Sequence, residues 1–155
     1  MLLKKFFVVA GKGESSTSPL NAFDKALSEA GIDHCNLVPV SSILPEGAKP
    51  VGYKKIKPGS ITFCVLARKD GVKGESISAG LGWATCEGVG QKYGIVAEDE
   101  GRTSGRQTQK NLDDKVREMA CARKMRIINS QTKILSLNRI NQKYGSVIVA
   151  LVYTK

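Results

Sequence analysis

Residues 61–98 read ITFCVLARKDGVKGESISAGLGWATCEGVGQKYGIVAE. Ile61-Thr62-Phe63-Cys64-Val65-Leu66-Ala67 is rich in β-branched and aromatic residues and has strand length. Residues 75–87 are rich in Gly, Ala and Ser, with Ile77, Leu81 and Trp83 at even spacing, which predicts a second strand. Residues 93–98 predict a third, which ends in the acidic run Glu98-Asp99-Glu100-Gly101. Three strands in succession, with no helix between them, argue against a doubly wound parallel sheet. They point to an α+β layered sandwich.

The flanks fit that class. Residues 3–10 predict a strand, followed by a Gly/Ser/Thr-rich loop from Gly11 to Ser18. A helix then runs from Ser18, a good N-cap, through Pro19 at its first position to a stop at Gly31. Leu20, Phe23, Leu27 and Ala30 recur at helical spacing and define its apolar face, with Asp24 on the border. Residues 35–40 predict a short strand, and a Gly/Pro-rich stretch leads on to Gly59. A long helix over residues 107–126 presents Leu112, Val116, Met119 and Ala120, and residues 134–140 and 146–153 supply the last strands. The expectation is an αββα sandwich with two main helices and mostly antiparallel sheets, forming one domain over residues 1–155.

Composition excludes several classes. The chain has 155 residues, of which 41% are hydrophobic and 25% charged, so it is not a disordered chain. No apolar run approaches the ~20 residues that span a bilayer. The apolar stretch before Gly11 is too short for a secretory signal and reads better as a strand. Cys35, Cys64, Cys86 and Cys121 have no C-x-x-C spacing, and His34 is the only histidine. No metal is expected, and the thiols read as reduced cysteines of a cytoplasmic protein. A histidine-based nucleophilic mechanism would have to run through His34, which follows Asp33 in a connection. The net charge of +10 invites a nucleic-acid-binding reading through Lys54 to Lys57 and the helix around Arg117 to Arg126. The aromatic content of 6% and the absence of aromatic–basic interleaving favour a plain solvated basic face, with no nucleic-acid partner.

Two short motifs invite chemistry. Gly11-Lys12-Gly13-Glu14-Ser15-Ser16-Thr17 stands between a strand and a helix, where backbone N–H groups can hold a phosphate. It matches neither common phosphate-binding glycine pattern and reads more simply as a glycine turn. Asn36-Leu37-Val38-Pro39-Val40-Ser41-Ser42-Ile43-Leu44-Pro45 sets two serines between a strand and a Pro/Gly-rich segment.

In context, that second motif resembles the pyruvoyl-dependent arginine decarboxylases. The resemblance is carried by Ser18-Pro19-Leu20-Asn21-Ala22-Phe23-Asp24, Gly31-Ile32, Asn36-Leu37 and Ser41-Ser42-Ile43-Leu44-Pro45. It continues in Gly74-Glu75-Ser76-Ile77-Ser78-Ala79, Glu98-Asp99-Glu100-Gly101 and Val116-Arg117-Glu118-Met119-Ala120. Order and spacing hold from about residue 6 to residue 124, and more loosely to Tyr153.

The resemblance implies self-cleavage between Ser41 and Ser42, giving chains 1–41 and 42–155. Ser42 supplies both an oxygen nucleophile and a β leaving group. Its hydroxyl attacks the Ser41 carbonyl, elimination releases the upstream chain, and hydrolysis with loss of ammonia leaves a pyruvoyl group derived from Ser42. Asn36 is implied near the scissile bond, where an amide donor stabilises an oxyanion. Glu98 is implied as the acid that protonates the carbon left after loss of CO2, a role that needs a carboxyl raised by burial. Asp24 is implied to hold the arginine guanidinium through paired hydrogen bonds. The product is agmatine, the assembly a homotrimer or a multiple of one, and the site lies between subunits. His34, Cys35 and Glu75 receive no role. Three alternatives stand beside this reading: a pyruvoyl enzyme for another amino acid, an unprocessed relative without activity, and a basic nucleic-acid-binding domain.

Overall fold

From Val147 to Val152 every residue is apolar, so a strand there must be buried on both faces. The computed structural model describes residues 1–155 and makes that run the centre of the molecule. In chain order the elements are β1 (Lys5–Ser15), α1 (Pro19–Ala30), β2 (Asn36–Pro39), β3 (Ile43–Leu44), β4 (Lys49–Pro50), β5 (Ile61–Val72), β6 (Ile77–Gly88), β7 (Gln91–Gly101), α2 (Gly105–Ala122), β8 (Arg126–Leu137) and β9 (Tyr144–Thr154). One sheet has the order β2-β5-β9-β1-β4 and the other β3-β7-β6-β8. Pairing is antiparallel except for β1 with β4 and β2 with β5.

The alternation of β9 builds two of the three core layers. Val147, Val149 and Leu151 face the other sheet, among Val65, Ile77, Leu81 and Val96. Ile148, Ala150 and Val152 face α1, beside Ala26 and Ala30. The third layer packs Leu112, Val116 and Ala120 of α2 on Ala84, Ile95 and Ala97. The result is the expected αββα sandwich.

Caps close α1 as expected. The Asn21 N–H donates to Ser18 Oγ at 3.1 Å, and Gly31 takes the left-handed conformation with φ 79°. Its core face keeps three of the expected residues, with Ala30 buried and Phe23 and Leu27 partly buried against the same core, but is centred elsewhere. Ala22, Ala26 and Ala30 are buried, while Leu20 is 68% exposed. The cause is the neighbouring strand. Gly11 and Gly13 lie inside β1, not in a loop, and are paired with Ile148 and Ser146. A Cβ on Gly11 would stand 2.0 Å from the Ala26 carbonyl oxygen, and one on Gly13 2.5 Å from that of Ala22. Helix and strand approach so closely that only glycine fits on one side and alanine on the other. Both readings of residues 11–17, phosphate loop and glycine turn, are therefore corrected: the first five residues are strand.

The acidic run is also strand. β7 extends through Gly101, beyond the expected end at 98, so Glu98, Asp99 and Glu100 alternate between faces. The second helix stops at Ala122 rather than 126, because Lys124 turns left-handed (φ 55°) and β8 begins at Arg126. No helix is long and apolar enough to cross a membrane.

Candidate active site

The chain changes sheets at the serine pair. Upstream, the Val40 N–H donates to the Cys64 carbonyl of β5 at 2.8 Å. Downstream, the Val96 N–H of β7 donates to the Ser42 carbonyl at 2.8 Å. The Ser41–Ser42 peptide thus bridges the two sheets with a backbone hydrogen bond close on either side. Ser41 is exposed and Ser42 half-buried. The Tyr153 hydroxyl donates to the Ile43 carbonyl at 2.9 Å and adds a third hold. Burial pushes the Tyr153 pKa up, so the hydroxyl keeps its proton and stays a donor. A cavity of about 280 Å³, lined by Val40, Ile43, Phe63 and Tyr153 among others, opens beside it.

Glu98 comes to the same place through β7. Ile43 of β3 pairs with Ile95, and Ser42 is held by Val96. Glu98 lies two residues beyond Val96, hence on the same face. That puts it one diagonal step from Ser42, on the order of 7–8 Å between α-carbons. Glu98 is exposed in the single chain, yet partial burial of its carboxyl raises its pKa; Glu100 raises it further and Lys115 lowers it. Asp99 faces the other way and is buried against α2. It accepts from Lys115 Nζ at 2.8 Å and from Asn111 Nδ2 at 3.1 Å.

Asp24 is not brought to this cluster within one chain. It is exposed, on the turn of α1 that packs against Gly13. Gly13 pairs with Ser146, whereas Phe6 pairs with Tyr153 beside the serines. Seven strand positions separate the two levels, roughly 24 Å at the strand rise. The two groups also lie on opposite faces of the five-stranded sheet. Asn36 lies at the far end of β2, five positions or roughly 16 Å of extended chain before Ser41. Its amide donates to the Gly59 carbonyl at 3.0 Å, and its N–H to that of Ser60 at 2.8 Å.

A family model described as pyruvoyl-dependent arginine decarboxylase matches residues 5–155. The chain belongs to that family. Among relatives, a Methanopyrus kandleri protein named pyruvoyl-dependent arginine decarboxylase is 34% identical over 97% of this chain and 96% of its own length. One of the same name from Methanothermobacter thermautotrophicus is 32% identical over 99% and 98%. Archaeoglobus fulgidus pyruvoyl-dependent arginine decarboxylase 2 is 42% identical over 65% of this chain and 66% of its own length.

Within this member of the pyruvoyl-dependent arginine decarboxylase family, several motif residues are structural. Glu75 accepts from the Val72 N–H at 2.7 Å and pairs with Arg102, closing the β5–β6 turn. Ser78 donates to the Thr103 carbonyl at 2.9 Å. His34 Nε2 stands 2.8 Å from the Ile56 carbonyl and its Nδ1 3.2 Å from Asp33, which fastens the loop at 56–60 beside Asn36. That hydrogen bond from His34 holds the Asp33 carboxyl below its usual pKa. Cys64 and Cys86 are buried, Cys35 partly so and Cys121 exposed, all as free thiols. Burial pushes the Cys64 thiol up to about 12, which leaves it inert. Sequence reasoning missed Tyr153 and Lys115. Tyr153 looks like any strand aromatic, and Lys115 is one lysine on a polar helix, so neither carried a local signal.

The surroundings of Ser42 fit a pyruvoyl group formed in place. A cut before Ser42 leaves β3 paired with β7 and β2 paired with β5. Both new ends stay anchored, and the residue that would carry the group keeps its carbonyl on Val96.

Proposed function

We propose that this chain is a self-processing arginine decarboxylase that cuts itself between Ser41 and Ser42 and converts L-arginine to agmatine and CO2. The observation that carries the reading is the bridging Ser41–Ser42 peptide. Hydrogen bonds near both ends restrict its motion, which favours attack by a neighbouring hydroxyl without a histidine base. The Ser42 hydroxyl attacks the Ser41 carbonyl carbon, and the peptide C–N bond gives way to an ester. β-Elimination then expels residues 1–41 as a carboxylate. Hydrolysis with loss of ammonia leaves residue 42 as the pyruvoyl end of chain 42–155. When formed, that group supplies a carbonyl that accepts the electrons released by loss of CO2.

The chain's own residues do the rest. Glu98, whose pKa burial and Glu100 push upward, gives its carboxyl proton to the substrate α-carbon. Asp24 holds the guanidinium by paired hydrogen bonds. The separation between Asp24 and Ser42 supports a site completed by a second copy, in a homotrimer or a multiple of one. Val38, Val40 and Ile43 are exposed apolar side chains near the serine pair, and such a patch supports a subunit contact there. The role of Asn36 in self-cleavage rests on the family resemblance. Four free thiols support a cytoplasmic setting.

Intact mass of the denatured protein tests the reading. The expected downstream chain is about 12 kDa and about 17 Da lighter than the same chain beginning with serine, the ammonia lost in forming the ketone. Ser42→Ala should stay uncut. A wild-type chain that remains whole through prolonged warming overturns the assignment and brings the basic-surface reading forward.

A further inference from the structure

In an antiparallel ladder, the N–H and C=O of one residue point to the same side, and so do those of the residue two positions on. The Val96 N–H points to β3, where it meets Ser42. The Glu98 carbonyl therefore points the same way. No strand meets it there, because the chain upstream of Ser42 has crossed to the other sheet at Val40. The open ladder position is filled by a side chain. Lys115 Nζ donates to the Glu98 carbonyl at 2.7 Å and to Asp99 Oδ1 at 2.8 Å. Asp99 is in turn held by Asn111, one helical turn before Lys115.

We propose that Lys115 is the positioning residue of Glu98: it closes the ladder edge vacated by the crossing chain, and its ammonium is the counter-charge for the carboxylate that Glu98 becomes on giving up its proton. The inference rests on the reading of Glu98 as the proton donor. The ammonium sits at the rim of β7, where its charge reaches both faces of the strand. Asp99 on the α2 face fixes it, so it does not fold onto the Glu98 carboxyl and hold that group permanently ionised. The charged groups acting on Glu98 are Glu100 from its own strand and Lys115 from α2. Opposite on β6 stands the uncharged Leu81, and the segment at Ser41 and Ser42 brings no acid or base. Lys115 is thus the one favourable counter-charge to the anion left after proton transfer.

The test compares Lys115→Met and Lys115→Arg in two settings. In the uncut Ser42→Ala chain, carbon-13 labelling of the glutamate carboxyls follows Glu98, assigned by its loss in Glu98→Gln. Lys115→Met should raise the Glu98 midpoint by on the order of one pH unit. Lys115→Arg, which keeps the charge, should leave it near wild type. In the processed enzyme, Lys115→Met should shift the alkaline limb of kcat upward by a similar amount, with self-cleavage retained by mass. An unchanged midpoint in a folded Lys115→Met chain overturns the proposal, as does an equal shift in both variants. If Glu98→Gln turns over normally, the failure belongs to the proton-donor reading instead.

Discussion

In the proposed mechanism Glu98 must hold a proton near neutral pH and then release it to carbon. Burial and Glu100 serve the first demand, and Lys115 serves the second. Glu98→Gln should cut itself normally but lose turnover by roughly 10²–10⁴-fold, the usual worth of a positioned acid, with mass and CO2 release as the two readouts. The raised pKa fixes the sign of the pH dependence. The acid works while protonated, so kcat should fall as pH rises through the Glu98 midpoint, above the ordinary 4.5. Stability follows the same sign: the contribution from Glu98 is complete below the ordinary carboxyl range and is lost as pH rises through the raised value. Urea unfolding across pH should show that loss in wild type and a flatter response in Glu98→Gln. Tyr153→Phe removes the donor to Ile43, a hydrogen bond worth about 1 kcal/mol, and should slow self-cleavage several-fold in a time course by mass.

At the scale of elements, α1 and β1 show how a pattern is legible and still misread. The caps were plain, because Ser18, Pro19 and Gly31 each solve a local backbone problem. The centre of the buried face was not: Phe23, Leu27 and Ala30 do pack on the core, but only the approach of β1 shows that Ala22 and Ala26 take the closest contact and that Leu20 is left out. Gly11→Ala tests that contact. With the Ala26 carbonyl 2.0 Å from the added carbon, helix and strand must part, at a cost of about 1–3 kcal/mol in a urea titration. The acidic run of β7 was legible as three carboxyl groups. Which one turns inward was not, since shifting the register by one residue exchanges the faces.

At the scale of the whole molecule, the proposed site residues fall into two groups on one chain. Ser42 and Glu98 share one end of the sandwich, and Asp24 occupies the other end and another face. In the proposed oligomer a second copy joins them, so defects in different halves should complement. Ser42→Ala and Asp24→Ala chains, each inactive or weak alone, should regain activity when co-assembled from an unfolded or co-expressed mixture. For random cyclic trimers with one Ser42 and one Asp24 per site, about a quarter of sites are intact. No recovery in mixed trimers confirmed by native mass would place both groups in one subunit's site.

The sequence by itself determined the class of fold and the chemistry on offer. Successive strands without helices, an apolar last strand and two capped helices are local patterns that hydrophobic burial converts into layers. The serine pair, Glu98 and Asp24 were visible as residue types in a spaced order. Tertiary structure alone decided how they are arranged. It made Gly11 and Gly13 a packing surface, buried Asp99, brought Lys115 to the edge of β7 and parted Asp24 from Ser42. Each of these depends on which elements become neighbours, and neighbours far apart in the chain leave no mark on the local pattern of either.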